Sequence, residues 1–258
     1  MDLNKFSDLF SLSAAGLLVS LVAAHVLGDF VLQTRRDVET KRRAGTLLRH
    51  SLIHGLLAYL LCGLWTVWML PLTVALLHGV IDGIKARLKA NAGWFLLDQL
   101  AHFAVLAVLA VVFAANSFWG KVLGAAYVKG LILLSGGILA VFAAGHLIGL
   151  AVQPLLRELK AAAVPDDGTV AHHSRGFTHG GRLIGQLERS IIFLLVVTSN
   201  SAGVGFLLAA KSILRFGEVK DSAHRMEAEY IIIGSLMSFG CGLLIAFVTR
   251  ALLDLPWG

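Results

Sequence analysis

The chain has 258 residues, of which 57% are hydrophobic and only 15% charged, and its mean hydropathy is +0.79. A soluble domain carries ~25% charged residues, so a soluble enzyme with a membrane tail is excluded and a polytopic membrane protein is expected. The formal net charge of +6 lies mostly in loop lysines and arginines with no basic–aromatic pattern, which argues against a nucleic-acid partner and makes the charge a topology signal.

The expected fold is all-α, a polytopic transmembrane bundle of about six to seven spans. The first apolar stretch, Leu12–Gln33, is long enough to span. No A-x-A-type cleavage site precedes a soluble domain, so it reads as a retained span. The second is expected at Leu47–Met69, and Pro71 reads as a tight turn before a third at Leu72–Leu88. Trp94–Ala115 and Gly130–Val152 follow; Pro154 and Pro165 then bracket a polar segment through Arg182. Ser190–Ala210 is a further apolar stretch, and Tyr230–Leu252 is the last. The expected division is a four-helix bundle at 1–115 and a C-terminal region at 116–258, with a cytoplasmic loop at 153–189. The two cysteines, Cys62 and Cys241, lie inside apolar stretches, so neither a disulfide framework nor a thiolate zinc site is expected.

Lysine and arginine set the orientation. The loop TRRDVETKRRAG (Thr34–Gly45) is strongly basic and is placed in the cytoplasm, which puts the N-terminus outside. The expected location is a bacterial inner membrane. The rule holds through five spans and then fails. If Ser190–Ala210 crosses, Lys211, Arg215, Lys220 and Arg225 fall outside. Its middle, TSNSAG (Thr198–Gly203), is polar, so a re-entrant pair of half-helices over 190–210 would keep those charges inside. Both versions stand at this point.

Each of the first four spans carries a pair of ionisable residues four positions apart: His25 and Asp29, His50 and His54, His78 and Asp82, Asp98 and His102. Residues i and i+4 share one helix face. Counted from the nearest cytoplasmic arginine or lysine, the pairs lie three to thirteen residues in. At ~1.5 Å per residue, that is one layer ~5–20 Å deep. A charged group inside a span costs ~2.5–3.5 kcal/mol on insertion scales, so such residues pair, or they serve function. Imidazole nitrogen and carboxylate oxygen are ligands for Zn²⁺, Fe²⁺ or Mn²⁺. Helix bundles build dinuclear carboxylate sites from such inward pairs. The expected cofactor is a divalent metal ion, zinc in the first reading with iron or manganese as alternatives, one or two per chain. A metal-free proton relay and a buried polar network are the competing readings.

Other polar positions have simpler accounts. Gln33, Lys85 and Gln99 lie near the same layer; Lys85 reads as a snorkelling anchor or a partner for Asp82 or Asp98. His146 stands alone in its span. HHSRGFTHGG (His172–Gly181) reads first as a solvated loop. Glu188, Arg189, Lys211, Arg215, Glu218 and Glu229 are expected to form charge pairs at the membrane surface, with Lys211 and Arg215 as candidates for an anionic headgroup.

HVLGDFVLQT, the basic loop, HSLIH, HGVIDGIK and DQLAH together resemble, over Leu21–Phe103, a bacterial membrane-protein family known as domain of unknown function 3307. The later LERS, AAKSILRF and AEYIIIG look like the C-terminal half of longer members. The resemblance implies a multi-span inner-membrane protein and no activity. A weaker likeness is to the membrane-bound metal-dependent hydrolases, through RGFTH (Arg175–His179) and the His78–Asp82 spacing; Ser174 interrupts the motif and its order is reversed.

The functional expectation is an integral-membrane metalloenzyme, a hydrolase acting on a lipid or lipid-linked substrate near the cytoplasmic leaflet. His25, Asp29, His50, His54, His78, Asp82, Asp98 and His102 are the ligand set, Asp29 or Asp98 is the general base, and Lys85, Lys211 and Arg215 are candidate substrate contacts. The alternatives are a divalent-metal transporter, a di-iron membrane oxidoreductase and a non-catalytic sensor or scaffold. The sequence does not indicate an oligomeric state.

Overall fold

The computed structural model describes residues 12–114, 124–162, 180–215 and 225–257. All regular structure among them is helical: α1 Leu12–Leu27, running into a π-helical turn at Gly28–Leu32; α2 Arg35–Glu39; α3 Ala44–Cys62; α4 Met69–Lys85; α5 Ala92–Ala114. Then come α6 Ala125–Ile138, a π-helical segment at Leu139–Ala143, and α7 Ala144–Ala151. The last are α8 Gln153–Ala162, α9 Gly180–Val197, α10 Ala202–Arg215 and α11 Arg225–Leu253.

Ala14–Leu32, Ala92–Ala114, Ala125–Ala151 and Met226–Leu253 are each long and apolar enough to cross a bilayer. α3 and α4, at 19 and 17 residues, are not among them. Their outer faces are nonetheless lipid-like. Leu48, Leu52, Leu56 and Leu60 on α3, and Leu72, Leu76, Val80 and Ile84 on α4, form exposed stripes at four-residue spacing. That is the spacing of one helix face. Such stripes are compatible with a bilayer and would be a liability in water.

The chain divides into two compact units, the first extending through Leu139 and including the stretch from Ala251, the second being Ala140–Arg250. This partition reaches further than the expected boundary at 115, because α6 belongs to the first core. Its Val128 and Ile132 pack with Leu17 and Leu21 of α1, Ala58 of α3, Leu70 and Val74 of α4, and Leu106 of α5. The Tyr127 hydroxyl also donates to the Leu61 carbonyl at 2.8 Å. α1 is the axis of this unit, packing against α3, α5 and α6, while α3 and α4 form the tightest pair. A Cβ on Gly55 would lie 2.8 Å from the Pro71 carbonyl, which shows how close α3 and α4 come.

Two expectations change here. Pro71 is not the turn: it sits in the first turn of α4, where a missing N–H costs nothing. The chain reverses earlier, where Gly63 ends α3 in the left-handed conformation at φ 66°. Pro154 likewise lies inside α8 rather than in an irregular loop.

In the second unit, Ser190–Ala210 is not one helix. α9 and α10 are separated by Thr198–Ser201, with Ser199 in the left-handed region at φ 63°. They pack on each other as a hairpin through Ile192, Val196, Val204 and Leu207. Arg250 of α11 donates to the Val197 carbonyl at the end of α9 (2.9 Å).

Candidate metal centre

Inside the first unit the four pairs meet. Asp29 lies on the π turn after α1; α3 brings His50 and His54, α4 brings His78 and Asp82, and α5 brings Asp98 and His102. His25, His50, His54, His78, Asp82, Asp98 and His102 are all buried. Gly28 makes the convergence possible, because a Cβ there would stand 2.4 Å from His54 Cε1.

Asp29 Oδ1 is 3.0 Å from His50 Nε2, 3.2 Å from His54 Nε2 and 3.6 Å from His78 Nε2. Asp82 Oδ2 is 3.3 Å from both His50 Nε2 and His78 Nε2. A tetrahedral ion with bonds of ~2.0–2.1 Å holds its ligands ~3.3–3.4 Å apart. Asp29, His50, His78 and Asp82 therefore already stand at ligand spacing. Two further groups overlap with this one: His25, Asp29, His54 and His78 on one side, and Asp82, Asp98 and His102 on the other, each with donor atoms within 4.8 Å of one another.

Hydrogen bonding fixes several rings from outside the centre. His102 Nδ1 lies 2.9 Å from the Asp98 carbonyl, which can only accept, so Nδ1 carries the proton and Nε2 keeps its lone pair. Gln99 donates through Nε2 to Asp98 Oδ2 at 3.0 Å, which leaves Gln99 Oε1 to accept from His25 Nε2 at 3.3 Å. The lone pair of His25 is then on Nδ1. Gln33 Nε2 differs: it lies 3.1 Å from His50 Nε2, the nitrogen that also faces Asp29 and Asp82. Outer amides and carbonyls of this kind orient metal-binding imidazoles.

These bonds still leave His25 Nδ1, His54 Nε2, His78 Nε2, Asp82 Oδ1, Asp98 Oδ1 and His102 Nε2 buried with no hydrogen-bond partner. Unmet polar groups in a protein interior each cost ~1–3 kcal/mol. Here imidazole nitrogens and carboxylate oxygens face one another at 3.0–3.6 Å, an arrangement that a cation can bridge. The residues fit a divalent metal ion in nature, number and spacing.

Two lysines complete the charge balance. Lys41 Nζ is 2.6 Å from Asp82 Oδ2, with both side chains buried. Lys85 pairs with Asp98. The role of Lys41 was hidden in the sequence, since it sits in a basic loop whose charges read as topology. α2 carries it there through a capping box in which Thr34 and Asp37 bond reciprocally. The Thr34 hydrogen bonds and the neighbouring Arg49 hold the Asp37 carboxyl below its ordinary pKa.

A small cavity of about 10 Å³, enough for about one water, lies among His25, His54, His78 and His102 on their apolar side, walled by Leu21 and Val74.

The other candidates lie elsewhere. His146 is exposed on α7 in the second unit. In that unit Lys211 is engaged by Glu188. Arg189 makes no surface pair: it is buried and donates to the carbonyls of Ala140 (2.7 Å) and Val141 (2.8 Å) and to Ser238 Oγ (2.9 Å). The π segment exposes those carbonyls, and Gly145 and Gly185 leave room for the guanidinium. Sequence pattern gave no sign of this slot. The Arg215 side chain, Glu218 and the 171–179 histidine stretch with RGFTH lie outside the described residues.

Residues 17–125 match the model of a family described as Protein of unknown function (DUF3307). The match covers Lys41 and the four helices that carry the His/Asp pairs, and it bears out the resemblance carried by HVLGDFVLQT through DQLAH. No curated protein and no solved structure matches the chain.

Proposed function

We propose that this chain is an integral-membrane metalloenzyme, a metal-dependent hydrolase acting on a lipid or lipid-linked substrate near the cytoplasmic leaflet of a bacterial inner membrane. The observation that carries the reading is the cluster of Asp29, His50, His78 and Asp82 ligand-type atoms at ligand spacing, with His25 Nδ1, His54 Nε2, Asp82 Oδ1 and His102 Nε2 buried beside it without a hydrogen-bond partner. In this reading α3 and α4 also cross the membrane, with their leucine stripes toward lipid and the N-terminus outside.

A bound divalent ion, zinc in this reading, supplies a water of lowered pKa and polarises a carbonyl or phosphoryl oxygen. Asp29, His50, His78 and Asp82 hold it, and His25, His54 and His102 are near enough to complete this site or a second one. The two aspartates first considered as bases separate in role. Asp29 sits among three imidazoles and suits a ligand. Asp98 has Oδ2 held by Lys85 and Gln99 while Oδ1 is free, and it suits the general base that takes a proton at Oδ1. Lys85 then positions Asp98 and does not bind substrate directly.

The test is metal quantification by mass spectrometry on full-length protein purified in mild detergent without chelators, beside His50→Ala and His54→Ala. One or two tightly bound ions per chain, lost in the variants, support the site; zinc favours hydrolysis, and iron would turn the reading to oxidation. Folded protein that neither carries nor takes up metal would sink the proposal.

A further inference from the structure

A second, open pocket of about 460 Å³ is lined by Lys41, Arg42, Leu47, Gly83 and Arg87 among others. Three of its lining residues are cations and none is a carboxylate. Arg42 is anchored at the pocket edge by Nε donating to the Ala86 carbonyl at 2.9 Å. Neither Arg42 nor Arg87 is in an ion pair among the described residues. Ala44, also in the lining, opens α3, whose first turn has no side-chain cap. The uncapped amides of a helix start add to the positive field of the three side chains.

The pocket adjoins the metal centre. Gly83 follows Asp82 in the chain, and Lys41 both lines the pocket and contacts Asp82. Asp82 and Lys41 are buried, whereas Arg42 and Arg87 are exposed. An anion bonded to Lys41 at ~2.8 Å would stand no more than ~5.5 Å from Asp82 Oδ2, given the 2.6 Å Lys41–Asp82 contact.

We propose that this pocket binds the phosphate group of a phosphate-bearing substrate, with Arg42 and Arg87 receiving it at the mouth and Lys41 joining it to Asp82. This names the substrate class for the metalloenzyme reading and rests on it for its catalytic meaning. The binding step itself needs only the three cations and the pocket. The phosphate belongs to a lipid headgroup or to a soluble ester; both present the same oxygens to these side chains.

The test uses full-length protein in maltoside micelles, which contain no phosphate. Inorganic phosphate is titrated calorimetrically in one arm, and phosphatidic acid doped into the micelles in the other. The Arg42→Gln/Arg87→Gln double variant is compared with wild type and with Arg157→Gln, an exposed arginine of the second unit. The expected result is saturable binding in at least one arm, weakened about tenfold or more in the double variant and unaltered in Arg157→Gln. Binding of phosphatidic acid alone assigns the site to a lipid; binding of both assigns it to the phosphate itself. Equal affinity in wild type and double variant, or no saturable binding in either arm, overturns the proposal. Metal content is measured on the same samples. Metal-loaded protein that ignores phosphate defeats this inference alone, and phosphate binding by protein that takes up no metal defeats the metalloenzyme reading alone.

Discussion

Asp29 and Arg189 are both charged residues sunk among apolar helices beside a π-helical segment, yet their surroundings differ in what they leave unbonded. At Arg189, the π segment Leu139–Ala143 offers the carbonyls of Ala140 and Val141, Ser238 supplies a third acceptor, and no guanidinium nitrogen lacks a partner. At Asp29, the π turn aims a carboxylate at three imidazoles, and several buried polar atoms around it have no hydrogen-bond partner. π-helical turns recur at functional sites, but the turn alone does not mark one. A closed hydrogen-bond account describes a staple, and an open account made of ligand-type atoms is what the proposed metal site rests on.

The strongest way to break this contrast is Asp29→Ala. It removes the oxygen that faces His50, His54 and His78 together, and should lower metal affinity by about a hundredfold or more, beyond the ~10–100-fold usual for losing an outer partner. Chelator competition followed by mass spectrometry reads this directly. Retained metal would show that Asp29 is not a ligand.

Arg189→Ala should behave in the opposite way. It strands two carbonyls and a hydroxyl, at ~1–3 kcal/mol for each unmet buried group, partly offset by relief of the buried charge. A net loss of about 3 kcal/mol in reversible detergent unfolding is expected, with metal content unchanged. Arg189→Lys should recover less than half of it, because an ammonium cannot reproduce the planar fork. Metal loss in Arg189→Ala would mean that the two centres are not independent.

These centres were unequally legible in the sequence. The four i, i+4 pairs were readable because helical periodicity converts sequence spacing into a shared face, and because His and Asp are rare enough in apolar stretches to stand out. The π turn at Gly28–Leu32 was not: nothing in GDFVL distinguishes it from a continuing α-helix. Lys41 was hidden because loop cations have a sufficient reason to exist in membrane topology. Arg189 was misplaced at the surface for the same reason, since its slot is built from backbone carbonyls and glycines on distant helices. The break at Thr198–Ser201 was visible as a polar interruption, though whether that stretch was one crossing or two half-helices was not. A family match to residues 17–125 adds the kinship of the ligand helices without adding their chemistry.

Glycine substitutions sharpen the comparison at smaller amplitude. Gly28→Ala would place a Cβ 2.4 Å from His54 Cε1, and Gly145→Ala one 2.6 Å from Arg189 Nη2. The first should weaken metal binding by ~10–100-fold, the range found when ligand orientation is disturbed, with little loss of fold. The second should cost ~1–3 kcal/mol of stability, the usual range for overpacking, and leave metal binding intact. Metal titration and unfolding of both variants form a two-by-two test. Equal effects of both on both readouts would remove the distinction between site and staple.

The smallest effect lies at the water surface, in the capping box that carries Lys41 to Asp82. The Asp37 carboxylate accepts from the Thr34 amide at 3.0 Å and pairs with Arg49. Its pKa is depressed in the fold, so its contribution to stability is complete above the ordinary carboxylate pKa and is lost as pH falls through the depressed one. Asp37→Asn retains an acceptor oxygen but loses the charge, which should cost about 1 kcal/mol or less of local stability. Hydrogen exchange of the 33–43 segment, corrected for intrinsic rates, should be faster in the variant at neutral pH and converge with wild type in acid. Because α2 sets the position of Lys41, the same variant should weaken phosphate binding by a few-fold, less than Arg42→Gln/Arg87→Gln. Faster exchange with unaltered phosphate affinity would show that Lys41 finds Asp82 without the cap, and that the Asp82 carboxylate itself steers the lysine into the centre.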